Sequence, residues 1–422
     1  MFQQNLPSSI KIDIGSIQKI SSRPSRRSVI YGKCCNFLII FLVALVVSTA
    51  IILSIVLTKM KTTTSITTTT IGLTSVSINY QTNLTTTSSN NITGYISYPI
   101  PTSIPTLINN FKGPNLSGGE FNSGIGKRYG YDYIYPSTRE IDYYVSEGFG
   151  IIRMPFDMTR AYPVPYSLLN MTEMNYMKTV VDYCLSKGMH VILDPHNYGV
   201  IYDSRTGVQR LIGVDVEGTN LFADFWARMG ALYMNYPNVL FGLMNEPNTQ
   251  SAVQWYTGAI PSIQAIRAVG ATQLILIPGT SWTGAHSWVS SGNAAAWNGF
   301  NGDPMNNFVF EMHQYLDSDS SGTHPTCGTN CFTSLQAATA WLATNGFKGF
   351  LGEFAWSNDS SCTNEGPAFL DYLSNYSNVW MGWTWWCGGP WYPSTYMFML
   401  DPISFTAPII NRPQMALLLQ HL

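Results

Sequence analysis

From about residue 106 the chain alternates short apolar runs with amphipathic stretches of helical period. The runs fall at 112–117, 151–156, 190–195, 239–244, 273–278, 307–313, 349–353 and 379–386. Most are short and mainly apolar, as strands buried on both faces are. Helical patterns at 138–147, 172–187, 220–234, 334–344 and 364–376 lie between them. Thr138 reads as the cap of the first, while Gly188 and Gly346 read as stops for the second and fourth. Strand and helix in regular alternation require a parallel sheet. Eight such units predict a (β/α)8 TIM barrel over 106–422. The competing doubly wound sheet usually carries a Gly-rich phosphate loop after its first strand. Asn115-Leu-Ser-Gly-Gly-Glu120 lacks that spacing, and no clear helix follows it.

The preceding residues cannot belong to such a barrel. Phe37 to Leu57 is an uncharged apolar stretch of 21 residues. As a helix it is roughly 31 Å long, enough to cross a bilayer core. A cleavable signal has a shorter apolar core and a shorter leader, whereas 36 residues precede this one. The stretch is expected to be a signal-anchor helix. Lys11, Lys19, Arg23, Arg26, Arg27 and Lys33 lie before it, and only Lys59 and Lys61 follow closely. The positive-inside rule then leaves 1–36 as a basic cytoplasmic tail and places everything after Leu57 outside. Cys34 and Cys35, at the cytoplasmic edge, read as idle thiols or palmitoylation sites. Residues 58–105 are Ser/Thr-rich and cannot build a core, so they predict a disordered, O-glycosylated stalk. Asn83 and Asn91 there, and Asn170, Asn358 and Asn375 later, begin N-glycosylation sequons. Asn115 begins one too, but inside an inner strand, where it is expected to stay unmodified.

Only 11% of residues are charged, against about 25% in a typical chain. The net charge of −2 leaves no electrostatic footprint for nucleic acid. Aromatics make up 13%, with 12 Trp and 24 Tyr. Uncharged polar and aromatic surface suits sugars, and it equally suits a neutral extracellular surface.

Chemistry in a barrel gathers where its strands end. The second run ends near Arg153-Met-Pro-Phe, the third at Asp194-Pro-His-Asn-Tyr198 and the fourth at Asn245-Glu246-Pro. The sixth ends at His313-Gln-Tyr315, the seventh at Gly352-Glu353-Phe and the eighth at Trp383-Thr-Trp-Trp386. A lone buried His is usually a satisfied structural residue. Polar and aromatic groups at six strand ends of one barrel are a site. Two carboxylates, Glu246 and Glu353, on strands facing across the barrel mouth are the minimal equipment for glycosidic cleavage.

With these motifs, including the loop Leu316-Asp-Ser-Asp-Ser-Ser-Gly-Thr-His324, residues 106–422 resemble family 5 glycoside hydrolases of the endo-β-1,4-glucanase type. The resemblance implies hydrolysis of β-1,4-glucosidic bonds in cellulose and related β-glucans by a retaining mechanism. It implies Glu246 as acid/base and Glu353 as nucleophile. Arg153 and Tyr315 would hydrogen-bond Glu353 and favour its charged form. Asn245 would hold the sugar 2-hydroxyl. His196, Asn197 and His313 would orient substrate or carboxylates, and Trp386 would stack on a sugar ring. Among relatives' patterns, Cys327 with Cys362 is the favoured disulfide, with Cys331–Cys387 as a second candidate and Cys184 as a buried free thiol. No cofactor is implied and no metal. Asp317 and Asp319 read as loop polarity without a completing ligand, and no His/Cys cluster has zinc spacing. The expected partners are a β-glucan chain and, through one helix, a membrane; the domain is expected to be monomeric. The sequence leaves open β-mannanase or xylanase activity on the same scaffold, and a carbohydrate-binding protein without catalysis. Trp282, Trp288, Trp391 and Tyr392 are open between cleft and packing roles.

Overall fold

The computed structural model describes residues 111–422. The expected tail, span and stalk lie outside the described residues. No helix among the described residues is long and apolar enough to cross a membrane.

Eight parallel strands close into a barrel: β1 (Lys112–Leu116), β2 (Ile151–Phe156), β3 (His190–Pro195), β4 (Val239–Gly242), β5 (Ile275–Pro278), β6 (Phe308–His313), β7 (Gly349–Phe354) and β8 (Trp380–Gly388). Each pairs with its sequence neighbours, and β8 pairs with β1. All eight expected runs are strands. The fourth ends at Gly242 rather than residue 244, because Leu243 to Glu246 already turn into the rim.

Helices cover the outside: α1 (Thr138–Ser146), α2 (Met171–Ser186), α3 (Val216–Tyr233), α4 (Ala252–Ala268), α5 (Gln336–Asn345) and α6 (Glu365–Asn375). The first cap is Ser137, not Thr138. Its hydroxyl accepts from Arg139 N, and Glu140 reaches back to Ser137 N at 2.8 Å, a capping box. Ser137→Ala is expected to lower unfolding stability by about 1 kcal/mol in a denaturant titration. Helix α4 has no counterpart in the sequence reading, because Pro261 signals a break. The helix persists because tertiary packing overrides that local cost. At Gly258, where a Cβ would lie 2.6 Å from Gly213 N, the loop backbone closes directly onto α4. A hairpin of Val200–Asp203 and Val208–Leu211 was also unexpected. Asp203 ties it to Arg205 at 2.9 Å and Arg210 at 3.0 Å.

The barrel interior has two storeys. Ile151, Ile192, Leu240, Leu276, Val309 and Phe350 form an apolar floor. Two residues further along their strands, Arg153, Asp194 and Glu311 form a charged storey above it, all buried. Period-2 geometry makes both storeys point inward. Outside the barrel, Trp226, Trp255, Trp288 and Trp297 are fully buried under the helices. Trp288 is therefore a packing residue.

Cys327 and Cys362 are bonded, joining the loops after β6 and β7. Cys184 is a buried free thiol, as expected. The candidate Cys331–Cys387 bridge does not form: both are buried free thiols, and Cys331 Sγ lies against Leu316 O at 3.2 Å. Of the sequons, Asn358 and Asn375 are exposed. Asn115 is fully buried, its amide donating to Gly352 O at 2.9 Å. Asn170 is half-buried and caps α2.

Candidate active site

The seventh strand would ordinarily point Glu353 outward, since Phe350 faces the barrel interior and Leu351 the helices. A register shift intervenes: Met312 pairs with Leu351 but His313 pairs with Glu353. This bulge turns Glu353 into the barrel beside Gly352, the re-aiming that bulges supply near active sites. Glu246 arrives by a different device. Its backbone is left-handed, φ 40°, just before Pro247. Such a conformation costs on the order of 1–3 kcal/mol in a non-glycine residue and is retained where the surroundings enforce it.

The two carboxylates converge. One oxygen of Glu246, one of Glu353 and a ring nitrogen of His313 all lie within 4.8 Å of one another. Glu353 Oε1 accepts from Arg153 Nη1 at 2.9 Å, and Oε2 accepts from the Tyr315 hydroxyl at 2.7 Å. Both oxygens of Glu353 thus face donors, the setting of an ionised carboxylate. Glu246 Oε1 faces His313 Nδ1 at 2.7 Å. Burial raises the pKa of Glu246 from its ordinary value. His313 opposes this and the nearby Glu353 charge adds to it. Burial works against a charged His313, but Glu353, Glu246 and Glu311 outweigh it and push that pKa up to about 10.

Arg153 is the hub of the charged storey and is fully buried. Besides Glu353 it pairs with Asp194 at 3.1 Å and Glu311 at 2.9 Å. It also donates to Asn115 Oδ1 at 3.0 Å and Asn245 Oδ1 at 2.9 Å. That last bond orients the Asn245 amide, so its NH2 faces His196 Nε2 at 3.1 Å. His196 Nδ1 faces Asp194 Oδ2 at 2.8 Å. Burial disfavours charge on His196, but Asp194 outweighs it and draws the pKa upward. In its neutral form the ring carries its proton on Nδ1, toward Asp194, which leaves Nε2 to accept from Asn245. Trp386 stacks on His196, with ring centroids 5.6 Å apart.

Asn197 stands apart from this group. Its Oδ1 accepts from Met158 N and its amide donates to Asp157, both at 2.8 Å, so its polar atoms hold the loop after β2. Trp282 is 57% exposed and lines a cavity of about 530 Å³ with Glu246, His286, His313, Tyr315 and Ser320. Trp391 stacks on Phe121 and Tyr392 on Tyr396. A cavity of about 450 Å³ at the start of β1 and β8 is lined by Phe111, Lys112, Trp380 and Leu422, away from both carboxylates.

The structure completes the Asp317–Asp319 pair with His324, whose Nδ1 lies 3.3 Å and 3.6 Å from them. Asp317 already accepts from the Gly322, Thr323 and His324 amides and from the Ser321 hydroxyl, and so it staples its own loop. Glu311, Asp194 and Glu120 were not singled out as site residues. Glu311 and Asp194 each lie two positions before a site His, a period-2 signal within reach of the sequence. Glu120 accepts from Ser117 and from Gly118 N at 2.7 Å, and burial raises its pKa.

The chain is similar to several known proteins. Endoglucanase gh5-1 of Neurospora crassa is 38% identical over 302 residues, spanning 70% of this chain and 73% of the relative. Endo-β-1,4-glucanase B of Aspergillus niger is 36% identical over 301 residues, spanning 70% and 86%. Among solved structures, XacCel5A in complex with cellopentaose superposes with a TM-score of 0.69 at 38% identity, covering 74% of this chain and all of that one. The endo-β-1,4-glucanase Xac0029 of Xanthomonas axonopodis pv. citri matches with a TM-score of 0.69 at 36% identity, covering 74% and 98%. The cellulase model of glycosyl hydrolase family 5 matches residues 108–389, both carboxylates included, and the chain belongs to that family.

Proposed function

We propose that the protein is an endo-acting β-1,4-glucanase that cleaves with retention, with Glu353 as nucleophile and Glu246 as acid/base. One observation carries the retaining reading: the two carboxylates have oxygens within 4.8 Å of each other. Retaining enzymes hold their carboxyl groups about 5–5.5 Å apart, whereas inverting enzymes need about 6.5–9.5 Å to admit a water. Glu353 attacks the anomeric carbon while Glu246 gives its proton to the departing glycosidic oxygen, leaving a glycosyl ester. Glu246, now ionised, takes a proton from water as that water displaces Glu353. Loss of the Glu353 charge in the ester removes one cause of the raised Glu246 pKa, which suits its switch from acid to base. Asn245, oriented by Arg153, has a second amide hydrogen for the sugar 2-hydroxyl. The cavity that Glu246 shares with Trp282 receives the leaving chain, and Trp386 stacks on the sugar at the cleavage point.

The relatives named as endoglucanases support a β-1,4-glucan substrate. Initial rates on carboxymethylcellulose, lichenan, glucomannan and xylan test it: the two glucans are expected to lead, and preference for xylan or for a pure mannan would overturn it. Proton NMR of early products is expected to show the β-anomer first, and the α-anomer would refute the roles of both carboxylates.

The sequence further supports a type II membrane glycoprotein with its catalytic domain outside the cell. Staining of intact cells by an antibody against residues 1–36 would refute that orientation.

A further inference from the structure

We propose that Glu311 is a positioning residue for the acid/base: it holds the Nε2–H of His313 and so keeps Nδ1 free to share a proton with Glu246. The inference rests on Glu246 being the acid/base.

Glu311 and His313 are two residues apart on β6, so both point into the barrel. Glu311 Oε1 lies 3.4 Å from His313 Nε2, and His313 Nδ1 lies 2.7 Å from Glu246 Oε1. A carboxylate thus stands on each side of one imidazole. Glu311 is held from several directions. Arg153 Nε pairs with Oε1 at 2.9 Å. The Thr283 hydroxyl donates to its backbone carbonyl at 2.6 Å. Gly352 leaves the space: a Cβ there would lie 2.2 Å from Glu311 Oε1. Glu311 is fully buried, and Oε2 has no hydrogen-bond partner among the described residues. Burying a carboxylate costs several kcal/mol unless it is paired, and hydrophobic barrel interiors are the rule at this depth.

The chemistry follows from valence. An imidazole facing an anion at Nε2 keeps a proton there. Its other nitrogen can then accept from a protonated Glu246 or donate to an ionised one. The proton needed by the leaving group is therefore shared by Glu246 and His313. Other charged or titratable groups facing the pair are Arg153 from β2, Asp194 and His196 from β3 and Glu353 from β7. Among these, Glu311 alone touches the distal nitrogen of His313.

Removing the Glu311 charge makes the shared proton easier to lose. Glu311→Gln is expected to move the alkaline limb of kcat/KM on cellotetraose down by about one pH unit. Above that limb the rate falls roughly tenfold. On 2,4-dinitrophenyl cellobioside, whose leaving group needs no proton, the loss is expected to be much smaller. An unmoved limb, or equal losses on both substrates, would overturn the proposal. If the variant fails to fold, nitrogen-15 NMR of the unaltered protein decides: Nε2 of His313 carries a proton across the activity range, and a neutral Nδ1–H ring would refute the role. Failure at Glu311 alone leaves Glu246→Gln impaired on cellotetraose, whereas an active Glu246→Gln would overturn the acid/base reading itself.

Discussion

Glu353→Gln is expected to fold normally and to lose turnover of carboxymethylcellulose by roughly 10⁴-fold or more. The amide is nearly isosteric, and its oxygen can still accept from Arg153. It cannot form the glycosyl ester, so the first displacement has no attacking atom. The loss should appear in kcat with little change in substrate affinity. Activity within a factor of ten of the parent would sink the nucleophile assignment. The small-residue variants separate the two roles more finely. With an activated aryl cellobioside and azide, Glu353→Ala should give the α-glycosyl azide and Glu246→Ala the β-azide, because azide takes the place of whichever group is missing. The same azide stereochemistry from both variants would contradict the division of labour.

Arg153→Met is expected to destabilise the barrel by about 3–5 kcal/mol. At roughly 2–4 °C per kcal/mol, that lowers Tm by about 10 °C. Arg153 is the common partner of Asp194, Glu311 and Glu353, each almost fully buried. Methionine fills similar volume but leaves those charges in an apolar cavity. The difference should also depend on pH. Burial raises the Asp194 pKa, but Arg153 and His196 outweigh that and hold it below the ordinary value. Its contribution in the parent is therefore present above about pH 4 and lost as the pH falls through the lowered folded value. In the variant the unpaired carboxyls are relieved by protonation, so the gap between the two proteins narrows in acid. A Tm within about 2 °C of the parent at neutral pH would refute the hub role.

The barrel was legible because most of its strands are mainly apolar and its helices periodic, signals that survive without tertiary context. Helix α4 was not, since Pro261 and Gly258 oppose it locally and its persistence rests on tertiary packing, with Trp255, Ile263 and Ile266 buried and Gly258 closed onto Gly213. The strand-end residues Arg153, His196, Asn245, Glu246, His313, Tyr315, Glu353 and Trp386 come together because they share one end of one barrel. Asn197 was placed with them by adjacency, but its side chain serves the loop after β2. Glu311 was passed over because it lies inside a strand rather than at its end, although its spacing of two from His313 puts both on one face. The pairing of Cys331 with Cys387 failed for a spatial reason: each thiol is separately buried, a fact that sequence spacing does not carry.

Gly352 places a limit on how this sequence can drift. A methyl group there would lie 2.2 Å from an oxygen of Glu311, which Arg153 holds in place. Any larger residue just before the nucleophile therefore requires a shorter side chain at 311, and a shorter side chain at 311 loosens Arg153. Position 352 is thereby coupled to 311 and, through it, to 153, on three separate strands. A mutagenesis library that varies 352 alone will return glycine there, whereas one that varies 352, 311 and 153 at once can reach barrels with a differently wired interior.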